Sequence, residues 1–164
     1  FFFTSNNAEK LLIRNKEIYD GAIPSGNSVS AYNYIRLGRI MSRSDFEDIS
    51  YKIIETFSKN IKRYSSGYTM LLHAIDFIEG PSYEVIIAGK KSNSKQILNL
   101  LYNSNQLNKV LIFRRINKKL NSEFEYLKDY YSSENGKPLV YICKNYVCNL
   151  PTSNPELISK QLNE

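Results

Sequence analysis

Polar side chains able to do chemistry gather in one early stretch, DGAIPSGNSVSAYNYIRLGRI, residues 20–40. Asp20 supplies a carboxylate, and Ser25 and Asn27 supply a hydroxyl and an amide at the start of a predicted helix. A helix start adds free N–H groups and partial positive charge. With the basic side chains just before the turn, these groups suit a polyhydroxylated or anionic ligand. The alternative is that they only cap the helix and bond one another, and the residues alone favour neither.

A second candidate is the histidine His73, which precedes Asp76 by three positions on another predicted helix. Residues three apart share a helix face, so the two side chains form an acid–base pair if that face lines a cleft. A lone histidine on a buried helix is more often a hydrogen-bonded core residue. We favour the core interpretation.

The other familiar motifs are incomplete. The segment AGKKSNS, residues 88–94, lacks the second glycine of a phosphate-binding loop, so a simple turn is favoured. Cys143 and Cys148 are the only cysteines, too few with the distant histidine for a zinc site of about four ligands. We therefore predict no metal and no cofactor. With no secretory signal visible, we expect reduced cysteines, and a disulfide across a hairpin is the alternative.

Charge and hydropathy restrict the partners. The formal net charge is +6 and the pI is near 9.2, but the basic residues are scattered along the chain, which disfavours nucleic-acid binding. No apolar run approaches the roughly 20 residues that span a bilayer, so no membrane partner is expected. We predict a cytoplasmic location. The opening FFFTS, without an initiator methionine, indicates a piece of a longer protein.

Helical periodicity dominates the first half of the chain. Residues 27–41 and 70–78 are apolar almost all round, which predicts helices buried on several sides. Residues 42–64 are apolar on one face only, and Ser44 with Glu47 fits a capping box. Buried, amphipathic and buried helices in succession are typical of a helical toroid.

The second half alternates short apolar runs with helical segments. Strands are predicted at residues 84–89, 109–113 and 139–143, and helices at residues 92–104, 121–131 and 154–162. Asn154 and Pro155 provide the cap and first residue of the last helix. This order predicts a small parallel sheet with right-handed crossovers. The fold class is therefore mixed α and β, divided into residues 1–81 and 82–164.

Three stretches carry a resemblance to a known family: residues 9–40, 67–89 and 139–158. In the same order, they resemble the spermatogenesis-associated protein 20 family of thioredoxin-domain-containing proteins. Those proteins begin with a thioredoxin-like domain, followed by an (α/α)6 barrel similar to N-acylglucosamine 2-epimerases and six-hairpin glycosidases. The resemblance implies that this chain corresponds to roughly the last quarter of such a protein, and we expect it to be without the thioredoxin-like domain.

The resemblance implies that residues 1–81 are the closing helices of an (α/α)6 toroid and residues 82–164 a small three-stranded, mainly parallel α/β unit. It places the start of the first helix at the mouth of a sugar-binding cavity, with the charged residues at its rim. The implied substrate-binding residues are Ser25, Gly26, Asn27 and His73, and the implied catalytic residues are Asp20, Arg14 and Lys16.

The leading hypothesis is a piece of a carbohydrate-active protein with epimerase-like or glycosidase-like activity, inactive alone and bound to the rest of the full-length chain. A non-catalytic interaction scaffold is the alternative, and nucleic-acid binding is a weaker third.

Self-association follows if toroid helices lack their covers, because each exposed large side chain forfeits roughly 1.5–3 kcal/mol of burial. Sedimentation at high concentration tests this prediction, and a stable monomer that binds no hydrophobic dye would contradict it.

Overall fold

The structure is a computed structural model that describes residues 1–9 and 12–163. Residues 10 and 11, within the first of the three resembling stretches, lie outside the described residues. The chain divides into two compact units: residues 1–39 with 43–80, and residues 40–42 with 81–164. Within the described residues, no helix is both long enough and apolar enough to cross a membrane.

The first unit is helical. Its helices are α1 (Gly26–Met41), α2 (Ser44–Arg63) and α3 (Thr69–Glu79), with a turn of 3₁₀ helix at Ser65–Gly67. All three predicted helices are confirmed, and α3 ends at Gly80, whose φ of 75° favours glycine. Three helices do not close an (α/α)6 ring, so the toroid stays a prediction.

Among the described residues α1 and α3 each bury one face, so burial of their other faces stays a prediction for a longer protein. In α1, Ala31 and Ile35 are fully buried whereas Leu37 is exposed. In α3, the buried residues recur at three-residue steps, and His73 lies on the exposed side. The interpretation of His73 as a core residue is therefore wrong for this chain. The neighbouring elements of the chain cover only one side of each of the two helices.

The core of the first unit joins the three helices to the segment before them. Its buried residues are Ile18, Ala31, Ile53, Phe57, Tyr68, Leu71 and Ala74. The hydroxyl of Ser50 on α2 donates a hydrogen bond to the Ala31 carbonyl of α1 at 2.8 Å. The predicted amphipathic character of α2 is confirmed, since Glu55, Lys59 and Lys62 are exposed.

The predicted capping box of α2 is absent. Ser44 is already the first helical residue, and Arg43 occupies the cap position without a side-chain hydrogen bond. Glu47 instead pairs with Arg39 of α1, with Nε and Oε1 3.4 Å apart. A Cβ at Gly38 would lie only 2.5 Å from the Glu47 Cγ, so glycine allows this approach. The Glu47 carboxylate therefore interacts with a residue of another helix instead of capping α2.

The second unit is built on a four-stranded sheet. Its strands are β1 (Tyr83–Gly89), β2 (Lys109–Arg115), β3 (Leu139–Lys144) and β4 (Val147–Cys148), in the order β2-β1-β3-β4. Helices α4 (Lys95–Tyr102) and α5 (Pro155–Gln161) accompany them, with 3₁₀ segments at Lys91–Asn93 and Ser122–Asp129. The predicted cap of α5 is confirmed, because the Asn154 side chain accepts from the Glu156 N–H at 2.9 Å.

The expectation of a three-stranded, mainly parallel sheet is wrong. Only β1 and β2 are parallel, and the β1–β3 and β3–β4 pairs are antiparallel. A parallel connection needs a crossover of a dozen or more residues, usually an α-helix. The predicted helix between β2 and β3 is instead a 3₁₀ segment interrupted at Phe124, so this connection lacks the usual crossover helix.

The two cysteines form a disulfide, against the expectation of reduced thiols. Cys143 on β3 lies directly opposite Cys148 on β4. The turn between these strands places Asn145 and Tyr146 at φ values of 51° and 64°, the left-handed geometry that tight hairpins use. Reduced cysteines were expected because no secretory signal is visible. That expectation did not consider the hairpin geometry, which brings the two cysteines together.

Candidate functional site

Asp20 is the centre of a buried hydrogen-bond network in the first unit. Its Oδ1 accepts from the Ser25 N–H at 2.8 Å. Its Oδ2 accepts from the N–H groups of Met70 and Leu71, at 2.9 and 3.2 Å, in the first turn of α3. Both carboxylate oxygens are therefore engaged in holding the backbone. These contacts favour the capping interpretation, and a catalytic role for Asp20 stays a prediction.

Ser25 caps the start of α1. Its Oγ accepts from the Ser28 N–H at 3.1 Å and donates to the Ser28 Oγ at 2.9 Å. The Ser28 hydroxyl in turn donates a hydrogen bond to the Ile18 carbonyl at 3.4 Å. The many turn-forming residues before α1 thus form a loop that hydrogen bonds hold at several points.

Asn27 fastens the segment before the loop. Its Nδ2 donates to the carbonyls of Phe1 and Glu17, at 2.9 and 2.7 Å. The Phe1 ring stacks on Tyr34 of α1, with centroids 5.9 Å apart. The Asn27 amide is therefore occupied with backbone positioning.

Arg14 and Lys16 both lie against the ring of Phe2. The Arg14 guanidinium carbon is 4.2 Å from the ring centroid and the Lys16 amine is 5.0 Å from it, which is cation–π geometry. Arg14 also donates to the Thr4 carbonyl at 2.6 Å. Positive charge consequently gathers beside the aromatic residues that open the chain.

These elements enclose two concavities, which share Phe3 and Glu17 and which we call together the Glu17 groove. One has a volume of about 260 Å³ and the other about 450 Å³. The first is also lined by Phe1, Phe2, Gly26, Asn27 and Ser30, and the second by Asn15 and Lys16. The Glu17 carboxylate makes no hydrogen bond or ion pair to any residue that the structure describes. The groove thus places this carboxylate beside aromatic rings.

The structure brings together only part of the predicted site. Gly26, Asn27 and Lys16 line the groove, and Arg14 shares the Phe2 ring with Lys16. Asp20 and Ser25 are buried and hold the loop that leads into α1. His73 is absent from the lining; it is exposed on α3, with its ring 6.3 Å from that of Tyr32.

Sequence reasoning missed Glu17 and the three phenylalanines as residues that line the groove. Their side chains are partly or largely exposed, with 53%, 48% and 76% of the surface of Phe1, Phe2 and Phe3 accessible. The available signal was the short alternation around Ile18, which is buried between the exposed Glu17 and Tyr19. Such alternation marks which side chains face outward, but it gives no distance to α1.

A separate concavity of about 380 Å³ occurs within the second unit. It combines the basic residues Arg114, Arg115, Lys118 and Lys119 with apolar ones such as Phe113 and Phe124. The Arg114 guanidinium is already used locally, since it donates to the Lys118 carbonyl at 2.9 Å. Nucleic-acid binding stays a prediction, and a short basic cluster alone is weak support for it.

Sequence comparison identifies relatives along nearly the whole chain. The chain is 27% identical over 158 residues to spermatogenesis-associated protein 20 of Rattus norvegicus. The aligned region covers 94% of this chain and 20% of that protein. The Homo sapiens protein of the same name is 26% identical over 156 residues, covering 93% of this chain and 20% of that protein. The chain thus spans about a fifth of the length of these relatives. No protein-family model and no solved structure matches it.

Proposed function

We propose that this chain, homologous to part of spermatogenesis-associated protein 20, belongs to a longer toroid protein in which the Glu17 groove contributes to a site for a sugar-like ligand. The observation that carries the proposal is a Glu17 carboxylate that bonds to none of the described residues and lies beside exposed phenylalanine rings. A sugar offers hydroxyl donors to a carboxylate and an apolar C–H face to an aromatic ring. Concave sites with apolar walls and a few placed polar groups are typical of small-molecule binding.

The groove residues have different roles in binding the ligand. Glu17 accepts hydrogen bonds from ligand hydroxyls, and Lys16 donates to ligand oxygens. Asp20 and Asn27 act indirectly, because their hydrogen bonds hold the backbone segments that form the groove. This replaces Asp20 by Glu17 as the carboxylate that meets a ligand.

The proposal concerns binding by this chain rather than turnover. Glycoside hydrolysis usually needs two carboxyl groups flanking the scissile bond. Among the described residues that line the groove, Glu17 is the one acidic side chain. A second carboxylate would have to come from elsewhere in a longer protein. We therefore expect no epimerase or glycosidase activity from the chain alone.

The variant Glu17→Gln is expected to weaken sugar binding about tenfold, because it replaces a charged acceptor by a neutral one of the same shape. The measurement is an NMR titration of the 164-residue chain with glucose, mannose and N-acetylglucosamine. Glu55→Gln on the exposed face of α2 is the matched control and should bind like the wild type.

Equal affinity of Glu17→Gln and the wild type would contradict the role of the groove. Absence of saturable binding by both the chain and a longer homologous protein would contradict the sugar site itself. In that case, capture of a defined protein partner by the longer protein would favour the interaction scaffold.

A further inference from the structure

The concavity of about 380 Å³ in the second unit combines apolar residues with a group of cations. Five consecutive residues of β2, Leu111–Arg115, contribute to its lining, and β2 stands at one end of the strand order. Phe124 and Leu127 contribute from the 3₁₀ segment Ser122–Asp129. A volume of this size is within the range of small-molecule pockets. The cavity therefore has room for a compact organic molecule.

The basic residues of this cavity lack acidic partners among the described residues. The cavity is lined by Arg114, Arg115, Lys118 and Lys119, and its described lining includes no aspartate or glutamate. None of the four forms an ion pair with any residue that the structure describes. Their charges therefore add together, and the apolar lining strengthens their attraction for an anion because it lowers the local dielectric constant.

Arg114 is held in place by one nitrogen of its guanidinium group. Its Nη1 donates to the carbonyls of Arg115 and Lys118, the second at 2.9 Å, in the turn that follows β2. Its Nε is buried and donates to none of the described residues, and its Nη2 likewise bonds to none of them. Buried donors without a partner are rare in proteins. Since the guanidinium charge is delocalised, an oxyanion at Nη2 would compensate the whole group.

We propose that this cavity binds a phosphate monoester of a small apolar molecule, with the phosphate on the four cations and the apolar body against Ile112 and Phe124. A phosphate monoester carries a charge of about −1.5 to −2 near neutral pH, which suits several cations without acidic partners better than a single carboxylate does. Arginine and lysine side chains both bind phosphate oxygens. The apolar residues favour an organic ester over inorganic phosphate. The proposal concerns the second unit alone and is independent of the Glu17 groove.

The first experiment titrates the 164-residue chain with 1-naphthyl phosphate and follows the nitrogen-15 NMR spectrum. We expect saturable shifts of the Leu111–Arg115 and Phe124 amides and of the Arg114 Nε–H, while the resonance of Glu17 stays unchanged. Inorganic phosphate and 1-naphthol supply the two halves of the ligand separately, and each should bind at least about tenfold more weakly. Inorganic phosphate that binds as tightly as the ester, or an ester that shifts none of these cavity resonances, would overturn the proposal.

The second experiment compares two lysine pairs of the same unit. Lys118→Gln/Lys119→Gln removes two exposed cations from the cavity, so 1-naphthyl phosphate should bind about tenfold more weakly. Lys90→Gln/Lys91→Gln removes the same charge from an exposed pair outside the cavity lining and should bind like the wild type. All four side chains are exposed, so we expect both double variants to fold. Equal losses of affinity in the two double variants would indicate a general attraction for anions and would overturn the proposal.

A short oligothymidylate tests the nucleic-acid alternative against the proposal. Nucleic acid held by charge loses affinity steeply as salt is added. The ester should keep more of its affinity, because part of it comes from apolar burial. We therefore expect 1-naphthyl phosphate to remain bound at a salt concentration that releases the oligothymidylate. An oligothymidylate that shifts the cavity resonances when the ester shifts none of them would overturn the proposal in favour of nucleic-acid binding.

Discussion

The variant Asp20→Asn is expected to lower the free energy of unfolding by about 3 kcal/mol. The Asp20 carboxylate accepts from three backbone N–H groups, one before α1 and two at the start of α3. Asparagine keeps one acceptor oxygen and turns an N–H₂ group toward the remaining donors. At least one buried N–H group is then left without a partner, and the charge that strengthened all three bonds is lost.

Urea unfolding followed by circular dichroism measures this effect, with Asp48→Asn on the exposed side of α2 as the matched control. The control should change stability by less than about 0.5 kcal/mol. If Asp20→Asn were equally harmless, the buried network would be dispensable. The interpretation of Asp20 as a catalytic residue would then regain its support.

Local signals account for what the sequence predicted well. The start of α5 was predictable because Asn154 and Pro155 act within one turn of themselves. The end of α3 follows from Gly80 in the same way. The buried strand β1 follows from its β-branched run. In each case the residues that decide the structure are neighbours along the chain.

Partners distant along the chain account for what sequence reasoning missed. Asp20 and Met70 are 50 positions apart, so no local pattern shows that this carboxylate caps α3. Glu47 looked like a capping residue because it follows Ser44 by three positions, and no local pattern shows that its partner is Arg39 on another helix. The direction of β3 depends on the sheet as a whole.

The candidate site was predictable only in part for the same reason. Gly26 and Asn27 were found because helix starts have a strong local signature. Glu17 was missed because only the tertiary structure brings the phenylalanines beside it. A surface carboxylate without such neighbours is unremarkable in sequence.

The ion pair of Arg39 and Glu47 provides the second large effect. Arg39 and Glu47 are buried, with 6% and 8% of their surfaces accessible. Arg39→Met is expected to lower the free energy of unfolding by about 3–5 kcal/mol, because it leaves the Glu47 charge buried without its counterion. Arg43→Met serves as the control, since Arg43 pairs with Asp45 on the exposed surface, and it should have no measurable effect.

The double variant Arg39→Met/Glu47→Leu separates the charge from the packing. Removing both charges also removes the desolvation cost, so the double variant should recover most of the stability lost by Arg39→Met alone. Leucine is chosen because the Glu47 Cγ closely faces Gly38, and its branched side chain remains apolar at this contact. The four unfolding free energies form a double-mutant cycle, in which a coupling above about 1 kcal/mol is expected. Additive losses in the two single variants and the double variant would instead show that the two side chains stabilise α1 and α2 independently.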